Sequence, residues 1–447
     1  DKKEVDTLID VNRTESNMKF LTLFLGSISF IPDTVNAQEL NSGDTAWMLT
    51  ATSLVLFMTL PGLALFYGGL VRSRNVLSLL MQCFTIACIS SIVWVIYGYS
   101  IAFKGDGNFI GDLSALFLSG ITRNSQIEQF PETVFIMFQM TFAIITPALV
   151  VGAFAERMKF GAMCIFSLLW LTFVYLPACH MVWGGGILAK SGVIDFAGGL
   201  VVHVTCGIGA LVAAVFLGPR RGFPNPSILP HNRTMVFIGA AMLWFGWFGF
   251  NAGSALTANY DAGMAMLVTH ISATVGAFTW ITIEWIKQGK PTIVGIATGM
   301  VAGLAAITPA AGTVGPQGAI LIGLTAGLVC FFSTQLLKGY FSIDDSLDVF
   351  PIHGVGGIVG SLLLCFLGNN DGFLGAGASG LSEVAEGSPI SQLIIQTKGI
   401  MIIGIWTAIA TFSILKLINI FTSLRVNREE ELEGLDEVLH GETGYNL

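Results

Sequence analysis

Eleven apolar segments decide what this chain can fold into. They lie near 45–67, 76–102, 132–155, 161–179, 197–217, 234–252, 262–285, 292–310, 317–337, 350–368 and 391–422. Each is close to or beyond the ~20 residues that a helix rising 1.5 Å per residue needs to cross the hydrocarbon core of a bilayer. The composition agrees. Of 447 residues, 53% are hydrophobic and 11% charged, where a soluble domain carries about 25% charged residues. The 53 glycines suit helices that pack closely inside a membrane. The net charge of -8 comes largely from loops and the acidic tail Glu429–Glu442, and supplies no basic footprint for nucleic acid. The seven cysteines all fall in apolar stretches, form no CxxC pair and are odd in number, which argues against a disulfide framework and for small buried hydrophobes.

The first 45 residues are read separately. Met18-Lys19, the apolar run Phe20–Ile31 and Val35-Asn36-Ala37 have the order of a signal peptide: charged n-region, short h-region, small-residue cleavage site. The expected organisation is an upstream segment 1–17, a signal peptide 18–37 cleaved after Ala37, a membrane domain 38–424 and a tail 425–447. Alternate loops collect the cations Arg72, Arg74, Arg157, Lys159, Arg220, Arg221, Arg233, Lys287, Lys290, Lys338, Arg425 and Arg428. By the positive-inside rule that side is cytoplasmic. The N-terminus is then outside and the tail inside, in a multi-pass protein of the plasma (inner) membrane.

Two histidines inside apolar segments each have an aspartate eight positions earlier, in Asp195-Phe-Ala-Gly-Gly-Leu-Val-Val-His203 and Asp345-Ser-Leu-Asp-Val-Phe-Pro-Ile-His353, and Gly-Ile follows each histidine at the same distance. An ionisable group within a membrane span is costly and marks a functional site. The fifth span carries His203 inward and the tenth carries His353 outward. Opposed entry of matching modules predicts a five-plus-five inverted repeat plus one extra helix, with both histidines near the midplane. Asp195 and Asp345 are expected to cap the starts of their helices, placing each histidine eight residues in. Two neutral imidazoles bonded to each other would present a polar edge to a narrow path. A zinc site needs three or four ligands, and no third ligand shares the frame, so no metal and no cofactor is expected. His180 and His270 are read as packing residues.

Aromatic residues form the next layer. Phe138/Phe142 and Trp247/Phe250 are helix-spaced pairs, each facing one direction. Trp183 falls in a Gly-rich loop and Ser254 at the outer end of the sixth span. An aromatic cup with one hydroxyl acceptor suits a small hydrogen-bonding cation. The motifs of hydrolytic enzymes, HExxH and GxSxG, are absent from the sequence, and no enzyme activity is expected.

From about Ala46 onward the chain resembles the ammonium transporter family, in its bacterial branch. The resemblance rests on Phe-Tyr67-Gly-Gly-Leu-Val-Arg, His180-Met-Val-Trp183-Gly-Gly-Gly, the two Asp/His modules, Gly246-Trp-Phe-Gly-Phe250-Asn-Ala-Gly-Ser254 and the tail's Gly434-Leu-Asp and His440-Gly-Glu. It implies ammonium or ammonia as substrate, a homotrimer with one pore per subunit, and a tail that docks PII-type signalling proteins. It also implies roles: Trp183, Phe142, Ser254 and Phe138 at an outer recruitment site, Phe142 and Phe250 as a gate, His203, His353 and Trp247 along the pore, and Asp195 supporting the outer site. Net charge movement is expected; an electroneutral ammonia channel and an ammonium sensor are the alternatives.

Overall fold

Apolar helices that cannot hide from a membrane must hide their few polar groups from it, and the architecture follows from that. The computed structural model describes residues 39–224, 228–368 and 388–445; the expected segments 1–17 and 18–37 lie outside the described residues. Among the described residues, eleven helices are long and apolar enough to span. They are α1 Ser42–Leu70, α2 Ser73–Phe103, α3 Glu132–Phe154, α4 Phe160–Lys190, α5 Gly199–Leu217 and α6 Arg233–Gly253. They continue with α7 Tyr260–Gln288, α8 Ile293–Ala310, α9 Pro316–Tyr340, α10 Phe350–Leu367 and α11 Pro389–Phe421. Two short helices, α12 Arg428–Glu433 and α13 Leu435–His440, form the tail. The all-α, eleven-span expectation is met.

Burial orders the bundle. Nearly all of α3 is enclosed by its neighbours, whereas α11 is mostly exposed. Glycines set the closest approaches. A Cβ on Gly207 of α5 would lie 2.3 Å from the Cα of Gly354 in α10, and one on Gly276 of α7 would lie 2.6 Å from the carbonyl oxygen of Gly299 in α8. Such contacts are open only to glycine and let van der Waals packing operate between backbones.

α4 departs from expectation. From its hydropathy this span ends near 179, with His180 in the outer loop. In the structure helix continues through Val182, because the buried His180 ring is satisfied: Nδ1 lies 3.1 Å from the carbonyl oxygen of Ala102 and Nε2 2.7 Å from that of Gly107. Trp183 is therefore the residue that closes a helix, with the glycine turn following it.

One end of the bundle carries a cluster of arginines. Glu156 sits between Arg72 Nε (2.8 Å) and Arg220 Nη1 (2.6 Å), and Arg220 Nη2 lies 2.9 Å from Asp344. Fully buried Arg157 donates to the carbonyl oxygens of Ala153 and Asp344 and to the Ser346 hydroxyl. Burial pushes the Glu156 and Asp344 carboxyls up, but the guanidinium groups outweigh it and hold both below their ordinary values. The tail packs on this basic end. Asp436 accepts from the N–H groups of Leu77 and Ser78 at the start of α2, Asn75 accepts from the Leu435 N–H, and Glu431 accepts from Arg425 and from the Arg221 N–H.

Candidate functional site

The two aspartates differ from expectation in how they meet their helices. α5 begins at Gly199, four residues after Asp195, because Gly198 takes a left-handed φ of 114°. The Asp195 carboxylate reaches over that turn and accepts from the N–H groups of Gly198, Gly199, Leu200 and Val201 at 2.5–3.0 Å. Burial pushes this carboxyl up to about 6, and the four N–H bonds pull against that shift. Asp345 makes a sparser cap, accepting from the Phe350 N–H at 2.7 Å with Oδ1 unpartnered; burial pushes it up to about 6 as well. The histidines are thus four or five residues into their helices, rather than eight.

They nevertheless meet. Nδ1 of His203 and Nδ1 of His353 lie 3.2 Å apart, with ring centroids 5.2 Å apart. One of the two must donate and the other accept, so a neutral pair shares one proton along this line. Both rings are buried, and His203 Nε2 has no partner.

The aromatic residues continue from this pair in one file. The His203 ring stacks near Phe250 (6.1 Å) and Trp247 (5.5 Å). Phe250 lies against Phe142 with centroids 4.3 Å apart, and Phe142 meets Trp183 edge-on at 5.8 Å and Phe138 at 5.0 Å. Trp183 Nε1 donates to the main-chain oxygen of Asp195 at 2.8 Å, so the turn capped by Asp195 also orients the indole. Ser254 donates its hydroxyl proton to the Phe250 carbonyl at 2.8 Å, which leaves its oxygen lone pairs free to accept. Phe142 and Phe250 are 1% exposed each, so the file is shut at this level.

A cavity of about 10 Å³ lies beside the histidines, walled by Leu63, Ile145, Leu149, Leu243, Trp247 and Phe250 among others. That is room for about one water-sized molecule, and no hydrated ion fits. A larger cavity of about 170 Å³ leads from His353 past Tyr67 and Asp348 toward Arg220 and Lys338 at the basic end.

Two residues beside the path, not on it, are not singled out by the sequence pattern. Thr308 accepts the Trp247 Nε1–H at 3.0 Å and so fixes that indole. Cys206 brings its sulfur to the histidine pair: the ligand atoms of His203, Cys206 and His353 lie within 4.8 Å of one another. The helical spacing of three between residues 203 and 206 is visible in sequence, but the approach of α10 across 150 residues is not. His270, read as a packing residue, stacks on Trp244 at 5.1 Å on an exposed face of α7.

A profile of the Ammonium Transporter Family matches residues 46–445. The chain belongs to the ammonium transporter family. It is 47% identical over 411 residues to an ammonium transporter of Aquifex aeolicus, covering 92% of this chain and 95% of that one. It is 45% identical over 405 residues to an ammonium transporter of Bacillus subtilis, covering 90% and 98%. Among solved structures, Saccharomyces cerevisiae Mep2 superposes with a TM-score of 0.81 at 36% identity, covering 88% of this chain and 89% of that one. A protein described as a Sensor Amt Protein superposes at 0.82 with 28% identity, covering 89% and 98%.

Proposed function

We propose that this ammonium transporter family member recruits the ammonium cation at the Trp183 cup and passes ammonia, not ammonium, along the histidines. The reading is carried by the uninterrupted file from Trp183 through Phe142 and Phe250 to His203 and His353. Aromatic faces attract a cation that is still partly hydrated, and the Ser254 oxygen supplies an acceptor for one N–H. Moving the bare ion on into a dry cavity would cost, in the ideal limit, about 20 kcal/mol. Ammonia carries no such penalty, so the proton leaves near the Phe gate. The shared proton of the imidazole pair offers ammonia both a donor and an acceptor, and gives the released proton a relay. Potassium is attracted by the same cup but has no proton to lose, and is refused.

The remaining architecture is proposed with this mechanism. The matched Asp/His modules support the five-plus-five inverted repeat, and the arginine-bearing end is the cytoplasmic one. His270 on an exposed apolar helix face is costly against lipid and supports burial between subunits of a homotrimer. The tail on the cytoplasmic face is the surface for a PII-type partner. The structural likeness to a sensor protein favours one second reading, in which ammonium occupancy is reported through residues 425–447.

An ammonium pulse onto proteoliposomes, with charge movement recorded and the pulse repeated with potassium, tests the transport reading. Current for ammonium alone is expected. Alkalinisation without current would replace it with an electroneutral channel, and no response to either ion would leave the sensor.

A further inference from the structure

We infer that His203, Cys206 and His353 form a binding site for one soft monovalent cation, Ag+ or Cu+, which plugs the pore from within. The proposal rests on the reading of this path as the ammonium pore. Its geometry starts at the Gly207–Gly354 crossing, where the helix backbones touch. Cys206 and His353 each precede one of these glycines, so the crossing sets them side by side, while His203 lies one helical turn before Cys206 on the same face. The three ligand atoms lie within 4.8 Å of one another, all on buried residues. The two Nδ1 atoms already face each other at 3.2 Å, so a small opening of the pair lets both reach one ion.

Charge and softness choose the ion. A thiolate with imidazoles is a soft donor set, of the kind that selects Cu(I). One thiolate neutralises a monovalent ion, giving a complex of no net charge in a site walled by carbon. A divalent zinc would leave a net positive charge buried there, which is strongly unfavourable. The step balances without redox chemistry. The thiol gives up its proton to water and a metal–sulfur bond forms. The proton between the two Nδ1 atoms moves to the second nitrogen of its own ring, freeing both Nδ1 lone pairs. If that ring is His203, its Nε2 is without a partner, so no hydrogen bond is broken there. The cavity of about 170 Å³ that reaches His353 past Asp348 admits the ion without crossing the Phe gate, and the about 10 Å³ cavity leaves ammonia no way round it.

Cys206 is not among the residues walling the cavity beside the histidines, so its loss is expected to leave transport intact. The test is ammonium flux into proteoliposomes against added silver nitrate in chloride-free buffer, for the wild-type chain, Cys206→Ala and Cys206→Ser, each retaining the other six cysteines. The expected result is block of the wild type and at least a tenfold rise in the half-blocking silver concentration for both variants. Native mass spectrometry of the detergent-solubilised protein should count one more Ag+ on the wild type than on Cys206→Ser. Equal silver sensitivity in the three proteins, or equal silver counts, overturns the site. Absence of wild-type flux before silver is added would instead sink the transport reading, and the silver count would still decide the site.

Discussion

At the scale of single residues the pore is a set of side chains fixed by bonds made away from the path. Trp247 faces His203 because Thr308 accepts its N–H, and Trp183 faces Phe142 because the Asp195 main chain accepts its own. Trp247→Phe keeps a ring and loses the anchor, at about 1 kcal/mol; the expected flux loss is a few-fold, read in the same liposome assay. His203→Ala removes both the 3.2 Å bond and the relay. Ammonium current should fall at least tenfold or potassium current should appear, and unchanged flux with potassium still excluded would refute the relay. The histidines and the aromatic pairs were legible in the sequence because membrane cost and helix spacing single them out, whereas Ser254 was read from its place at the outer end of α6. Cys206 and Thr308 were not, since each acts only through a neighbour that the fold delivers from another helix.

At the scale of helices, apolar length alone located all eleven spans, and polar residues misled only where the fold satisfies them. His180 falls in an outer loop by its sequence and in α4 by its structure, because the Ala102 carbonyl at the end of α2 and the Gly107 carbonyl in the loop beyond it meet its ring. Likewise the left-handed Gly198 delays α5, a start that a capping rule puts too early. Helix contacts are the fold's sharpest constraint. Gly207→Ala would put a methyl 2.3 Å from the α10 backbone and part the helices that hold the imidazoles together, at about 1–3 kcal/mol. Gly263→Ala in α7, with nothing within 4 Å, is the control. The first should lower the thermal midpoint in detergent and abolish flux, and the second should do neither.

At the scale of the whole molecule, two sets of buried carboxyls respond oppositely to acid. Glu156 and Asp344 are held below their ordinary values by arginines. Their contribution is complete above the unfolded values, 4.5 and 3.8, and is lost as pH falls through the lowered folded ones. Asp195 and Asp345, raised to about 6, bind protons more tightly folded than unfolded, so they add stability as pH falls from about 6 toward 3.8. The thermal midpoint should therefore rise slightly from pH 7 to about 5 and drop below about 4.5. Asp345→Asn should flatten the upper limb, and a midpoint that falls steadily from pH 7 would contradict the assignment. The tail answers to a separate test. Asp436→Ala strips two N–H groups of α2 of their acceptor, and limited proteolysis should then release residues beyond Arg428 faster, with transport retained if the tail only regulates.

The cavity beside the histidines has room for a single small molecule, and this bears on kinetics. Two travellers cannot pass there, so molecules arriving from opposite faces compete for one vacancy. Uptake of nitrogen-15 label from one side should slow as unlabelled ammonium is raised on the other, even where the net gradient still favours uptake.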